Sequence, residues 1–349
     1  MCNGKIGILC FLLFLTGCSD SKDPEDRAYV ITMGIEKTAD SCLFTFAPAD
    51  TGGGADLFFV KGDTLSAAVA EAECRSSREV YLGQLKNIVF GKSLLEDKEA
   101  FGSILDELER SVAVSEKVMV LGTKDSAASC VEIIGKADSS TGLFLWEFYK
   151  NTAEEVAVTR HVDLDTWLTD LRTQGNSGIL PAISLEEGHI VLGGGIAFSE
   201  GVYDFSLCDE QERNCLLLTG YGKGAVLTEE IAGIPMTVEI RKNRVSYDFQ
   251  RAGEKPVCMI HVHLQGALTG SGGKSVSSPK QRQEIEELFA ARIKSHLENT
   301  IKVVQQQAAG DILGLCAAAE RKTGEKIPCK TMEAEVLCEF SLGDTGRIR

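Results

Sequence analysis

The stretch SPKQRQEIEELFAARIKSHLENTIKVV, residues 278–304, decides how the C-terminal half of the chain is read. Ser278 stands where a helix N-cap is wanted, Pro279 fits the first helical position, and Gln281 three residues on completes a capping box. Ile285, Leu288, Phe289, Ile293, Leu297, Ile301 and Val304 then recur at helical spacing on one side, which predicts a helix over 279–309 with an apolar stripe. Such a stripe has to bury against a neighbouring layer. The segments on either side supply one, because Val257–Leu268 and Ala334–Leu342 both alternate as strands. The C-terminal part, 256–349, therefore reads as an α+β unit.

Working back from that helix, Met236–Arg251 reads as a hairpin turning at Lys242-Asn243, with Val238 and Ile240 alternating before the turn and Val245, Tyr247 and Phe249 after it. From Gly188 the composition is rich in strand formers and glycine, including Gly193-Gly194-Gly195, and Leu216–Gly220 reads as a continuation. These residues, 186–255, are expected to form a β-rich middle unit.

Before residue 185 the pattern alternates. Ala28–Glu36 and Cys42–Ala47 are strands, Thr64–Arg78 an Ala-rich helix, and Tyr81–Gly91 a turn entering a strand. Helix at 96–109, strand at Lys117–Leu121 and helix at Ser126–Ile134 continue the series, with further helical pieces at Phe144–Phe148 and Leu164–Leu171. Alternation of this kind predicts an α/β unit over 27–185. The fold class expected of the whole is α+β (mixed α/β), multi-domain, with mixed sheets packed against helices.

At the N-terminus, Lys5 precedes the apolar run Ile6–Leu15, and Thr16-Gly17-Cys18 follows it, the layout of a secretory signal ending at a cleavage point. The run is far short of the roughly 20 apolar residues a transmembrane helix needs. Leu15-Thr16-Gly17-Cys18 resembles the bacterial lipobox, in which the cysteine is lipidated. Residues 1–17 are thus expected to be a lipoprotein signal peptide, Cys18 the lipid attachment point, and the acidic stretch 18–26 a solvated tether.

Acidic side chains outnumber basic ones by 51 to 36, for a formal charge of -15, so no basic face for nucleic acid is expected. Of the twelve cysteines, nine remain after Cys2, Cys10 and Cys18 are set aside, and none forms a Cys-x-x-Cys pair. Cys208 with Cys215, or Cys329 with Cys338, are spaced for short disulfides, but most lie in apolar runs and read better as small buried hydrophobes. Gly270–Ser275 lacks the first glycine of a phosphate-binding loop, since Leu268 holds that place, and reads as a linker. His261 and His263 share one strand face opposite Ile260, Val262 and Leu264, the solvated side, with no evident third metal ligand. The pairs Asp163/Asp165 and Glu186/Glu187 read as helix caps or loop cover. No catalytic constellation is present, so no enzyme activity, cofactor or metal is expected.

Four stretches together resemble the C-subunit lipoproteins of spore germinant receptors, the Ger(x)C family: Leu15–Cys18 followed by Asp20; Tyr29–Lys37; Tyr81–Gly91; and the long helix running into Asp311-Ile312-Leu313-Gly314-Leu315. Ser19 and Glu36 depart from the tryptophan and aspartate the family commonly has there, which marks a divergent member. The resemblance implies a three-domain mixed α/β fold and a non-enzymatic receptor subunit. It implies partnership with the A and B membrane subunits, no small-molecule ligand of its own, and a place on the outer face of the spore inner membrane, held by lipid at Cys18. Tyr81, Leu82, Gly83 and Lys86 are the candidate docking residues. The competing reading is a lipid-anchored solute-binding protein of a transporter, which would have two similar α/β lobes around a cleft.

Overall fold

Strand β1 (Arg27–Lys37) lies inside a large mixed sheet ordered β3-β2-β1-β5-β6-β7-β8-β9. The computed structural model describes residues 23–49, 57–137, 143–151, 156–231, 233–252, 255–273, 278–325, 327, 329 and 332–343. β2 (Cys42–Pro48) and β3 (Phe58–Gly62) add antiparallel on one side of β1. β5 (Asn87–Gly91), β6 (Met119–Thr123) and β7 (Gly178–Glu186) follow in parallel on the other, and the antiparallel β8 (His189–Ser199) and β9 (Val202–Leu207) close the sheet. A short β4 (Glu79–Tyr81) runs parallel to the first residues of β1.

Both faces of this sheet are covered. On one lie α1 (Leu65–Glu73), α2 (Lys92–Leu95), α3 (Lys98–Arg110) and α6 (Leu164–Thr173); on the other, α4 (Ala127–Ala137) and α5 (Leu143–Asn151). Cover on both faces explains why the central strands read as continuous apolar runs rather than alternating ones. An aromatic chain knits the first side together: Phe90 meets Phe101 at 5.1 Å, Phe101 meets Phe198 at 5.1 Å, and Phe198 meets Trp167 at 5.4 Å, each edge-on.

The second sheet is ordered β10-β11-β12-β13, formed by β10 (Val226–Ile231), β11 (Ile234–Ala252), β12 (Lys255–Gly270) and β13 (Glu333–Leu342). Its core face is covered by α8 (Pro279–Gln307), with α7 (Asp209–Thr219) and α9 (Leu315–Thr323) beside it. α8 starts as its sequence dictates. The Gln281 N–H donates to Ser278 Oγ at 3.2 Å, and the Ser278 N–H donates to Gln281 Oε1 at 3.3 Å. Ile285, Phe289, Ile293, Leu297, Ile301 and Val304 are buried, while Leu288 on the stripe's margin stays exposed. Among the described residues no helix is long and apolar enough to cross a membrane.

Three expectations change. Leu216–Gly220 is the end of helix α7, not strand: Asp209, Glu210 and Glu212 in the first turn favour a helix start, and Gly220 at φ 89° ends it. No turn occurs at Lys242-Asn243, where β11 runs on with a bulge. Asn243 is instead drawn to α7, its Nδ2 donating to the Leu217 carbonyl at 3.2 Å and its Oδ1 accepting the Gly222 N–H at 2.9 Å. Finally, the expected limits at 185/186 and 255/256 both fall at or inside hairpins. The residues assigned to a middle unit are shared, β8 and β9 belonging to the large sheet and β10 and β11 to the small one. Glycine and β-branched content signals strand but not which sheet a strand joins.

Candidate functional site

The first candidate, Cys18, lies outside the described residues, as do the rest of 1–22. The chain enters the description just before a single 3₁₀ turn, Pro24–Asp26, that leads straight into β1.

The second, the Tyr81–Lys86 segment, is placed by β4, which pairs Arg27 with Glu79 and Tyr29 with Tyr81. The Tyr29 and Tyr81 rings meet edge-on at 5.5 Å, and the Arg27 guanidinium lies 4.7 Å from the Tyr81 ring centre and 3.5 Å from the Glu79 carboxylate. Cation, ring and carboxylate thus hold one another at the surface. The chain then reverses through Leu82–Leu85, with the Leu85 N–H on the Leu82 carbonyl at 2.9 Å.

This reversal divides the candidate residues. Leu82 and Leu85 are buried in the core, so Leu82 is a packing residue with little surface to offer a partner. Gly83 and Gln84 form the exposed tip. A Cβ on Gly83 would stand 2.5 Å from the Tyr81 hydroxyl oxygen, so the ring's position requires glycine there. Lys86 is fixed by its backbone, donating to the Ile31 carbonyl and accepting from the Met119 N–H, and its ammonium lies 5.7 Å from the Trp146 ring on α5. Tyr81 and Gly83 therefore share a surface, whereas Lys86 points to the α4–α5 side.

Beside Tyr81 a surface groove of about 790 Å³ runs between α1, β4 and α3. Its carboxylates are already engaged. Glu107 accepts the N–H groups of Leu65 and Ser66 at 2.7 and 2.9 Å and so caps α1; Asp106 pairs with Arg110, and Glu73 accepts from the Val80 N–H. The acids of this groove thus cap and brace the fold.

The other motifs take structural places. His263 pairs with Glu339 at 3.0 Å and His261 with Asp248 at 3.4 Å on the outer face of the second sheet. Asp163 caps α6 by accepting the Thr166 N–H at 2.8 Å, and Lys117 bridges Asp163 and Asp165 at 3.2 and 3.0 Å. Burial pushes the Asp163 carboxyl up, but hydrogen bonds from Thr166 and Lys117 outweigh it and hold the group below its ordinary value. Glu187 and Gly188, at φ 49° and 80°, form the tip of the β7–β8 hairpin. The glycine-rich loop after β12 is described to Gly273, and residues 274–277 lie outside the description.

Cys316 and Cys329 are joined in a disulfide, a pairing neither proposed from spacing; Cys208 and Cys215 sit in or next to one helix, and Cys338 is a separate free thiol. Burial pushes the Cys258 and Cys338 thiols up to about 12, as befits packing residues. Two features have no sequence signal: the Arg27–Tyr29 half of the surface cluster, which depends on β4 pairing, and the burial of Glu212 between the sheets.

Comparisons with known proteins give one consistent result. Residues 20–185 match the family model described as spore germination protein N-terminal domain, and residues 194–335 match spore germination B3/GerAC like, C-terminal. The chain is 21% identical to spore germination protein GerQC of Bacillus cereus, over 84% of each chain. It is also 21% identical to spore germination protein A3 of Bacillus subtilis (strain 168), over 70% of this chain and 69% of that one. Its fold is similar to the crystal structure of the GerBC protein, with a TM-score of 0.61 at 15% identity, covering 89% of this chain and 96% of that one.

Proposed function

The chain belongs to the GerAC-like spore germination family, and from that premise we propose that it is the lipid-anchored, non-enzymatic C subunit of a spore germinant receptor. A role in spore germination follows from the family itself. The observation that carries the finer reading is the position of the first family match: it begins at residue 20, two residues after the lipobox cysteine Cys18, and the two matches then take up most of the remaining chain.

In this reading Cys18 carries diacylglycerol and palmitate, and the acidic tether holds the folded part at the outer face of the spore inner membrane. A single acyl chain binds only marginally, so a multiply acylated cysteine suits stable retention. Confinement to the membrane raises the effective concentration beside the A and B membrane subunits. The surface formed by Arg27, Tyr81 and Gly83, with the neighbouring groove, is the proposed contact. Two unlike sheets, one with helices on both faces and one of four strands, do not resemble the paired lobes of the solute-binding alternative.

The test is metabolic labelling with radioactive palmitate and fractionation of spores carrying wild type, Cys18→Ala or Gly83→Val. The expected result is loss of label and of inner-membrane retention for Cys18→Ala. Gly83→Val should stay labelled but lose co-purification with the membrane subunits. Full retention and normal germination of Cys18→Ala spores would overturn the anchor.

A further inference from the structure

We propose that Asp311, Cys316 and Cys329 form a zinc site when the Cys316–Cys329 bond is reduced. The same two cysteines then tie α9 to the segment before β13 in either of two ways, by a disulfide or through a metal ion. Nothing in the sequence announces the site. Zinc motifs legible from sequence bring their cysteines in close pairs, whereas these two are 13 positions apart and the carboxylate comes from the turn between α8 and α9.

The donors converge in the fold. One ligand atom from each side chain, a carboxylate oxygen of Asp311 and the two sulfurs, lies within 4.8 Å of the other two. Tetrahedral zinc, with bonds of about 2.3 Å to sulfur and 2.0–2.2 Å to oxygen, holds its donors roughly 3.5–3.8 Å apart. Reduction frees the sulfurs to part to that spacing, and the carboxylate closes by about an ångström. Cys316 is buried, and Asp311 and Cys329 are half-buried, which limits competition from bulk water.

The surroundings orient these donors. Asp311 Oδ2 accepts the Ala317 N–H at 2.8 Å, so the carboxylate is held against the first turn of α9 as a ligating carboxylate should be. Cys316 is the second residue of α9, where the positive end of the helix favours the negative charge of a thiolate. Arg321, one turn further along the same helix, acts on Asp311 and offsets the surplus negative charge of three anionic donors around a divalent ion.

The donors also face space. Asp311, Cys316 and Cys329 line a cavity of about 30 Å³ together with Gly310 and Met332. That is room for a water, the fourth ligand of a tetrahedral site with three protein donors. Two thiolates select zinc over magnesium or calcium, which take oxygen ligands.

Two balanced steps connect the forms. A phosphine and water convert the disulfide to two thiols, the phosphorus giving up an electron pair and leaving as its oxide. Zinc then replaces the two thiol protons, which pass to solvent.

The test uses the full-length chain in detergent, reduced with a water-soluble phosphine and kept free of oxygen. Titration with cobalt(II) chloride should give a thiolate-to-cobalt charge-transfer band and the visible bands of tetrahedral cobalt, for one equivalent beyond that taken by Cys316→Ser/Cys329→Ser. Zinc chloride should bleach these bands, and the oxidised chain should lack them. Asp311→Asn, which keeps the shape of the carboxylate, should weaken the affinity by at least about tenfold. A measurement on the wild type alone decides the matter if the variants do not fold: zinc should protect Cys316 and Cys329 from N-ethylmaleimide, as read by peptide mass spectrometry. No extra equivalent, cobalt bands equal in the double serine variant or the oxidised chain, unchanged affinity in Asp311→Asn, or equal alkylation with and without zinc would each overturn the proposal.

Discussion

The side-chain amide of Asn214 on α7 donates to the Thr300 hydroxyl on α8 at 2.9 Å, and both residues are buried. α7 packs against β8 and β9 of the large sheet and against α8, β11 and β12 of the small one, so this bond secures the element that joins the two layers. Replacing one partner strands the other without water. Asn214→Ala and Thr300→Val should each cost about 1–3 kcal/mol, with the double variant losing less than the sum. Urea unfolding followed by circular dichroism measures all three, and strict additivity would show that the bond contributes nothing.

Gly122 on β6 leaves room for a side chain only if Ile196 shifts. A Cβ there would stand 2.5 Å from the Ile196 Cδ1 and 3.1 Å from Leu180 Cδ2. Gly122→Ala should cost about 1–3 kcal/mol by overpacking, and adding Ile196→Val, which removes the clashing methyl, should recover part of it. Thermal denaturation of the pair checks this; no recovery would mean the backbone, not Ile196, carries the strain.

The Cys316–Cys329 bond ties α9 to the segment before β13 across 13 residues. A loop of this size is worth about 3 kcal/mol in the chain-entropy account. Reductant should therefore lower the melting temperature of the wild-type chain and leave that of a Cys316→Ser/Cys329→Ser double variant unmoved. Equal sensitivity to reductant would show that the bond does not stabilise the fold.

Glu212 gives stability a pH slope. Its carboxyl titrates near 8 in the folded chain, pushed up by burial, against an ordinary value of 4.5. Between those values the folded state binds the extra proton, so stability declines as pH rises through this window and levels off above about 8. The slope from this one group is at most about 1.4 kcal/mol per pH unit. Glu212→Gln should remove that contribution and gain on the wild type progressively from pH 5 to 8 in guanidinium titrations. Parallel curves at all pH values would show that Glu212 is ionised in the fold.

What could be read from the sequence was what is local. The start of α8 was legible because its cap closes within four residues, from Ser278 to Gln281, and the strands of the large sheet were legible from their β-branched runs. The readings that failed depended on partners far along the chain. Asn243 resembles a turn residue until α7 claims its side chain across 26 residues, and Leu216–Leu218 is an apolar run that suits strand or helix equally. The same holds for the candidate surface: the turn after Tyr81 could be read, but the burial of Leu82 and the arrival of Arg27 over the Tyr81 ring required the sheet to form. Nothing in the spacing of the cysteines joins Cys316 to Cys329.

β1 follows directly on the Pro24–Asp26 turn and lies in the interior of the large sheet, bonded to β2 on one flank and β4 and β5 on the other. If Cys18 is the anchor proposed above, the eight residues before Arg27 reach at most about 30 Å, and the body would ride close to the bilayer on a short leash. Any tug on that leash runs along β1 and loads its two hydrogen-bonded seams in shear, all rungs resisting together. Had the tether fed an edge strand, the same tug would peel rungs away one at a time. In the proposed anchored state, the strand next to the membrane would thus pass force to the whole sheet without unzipping.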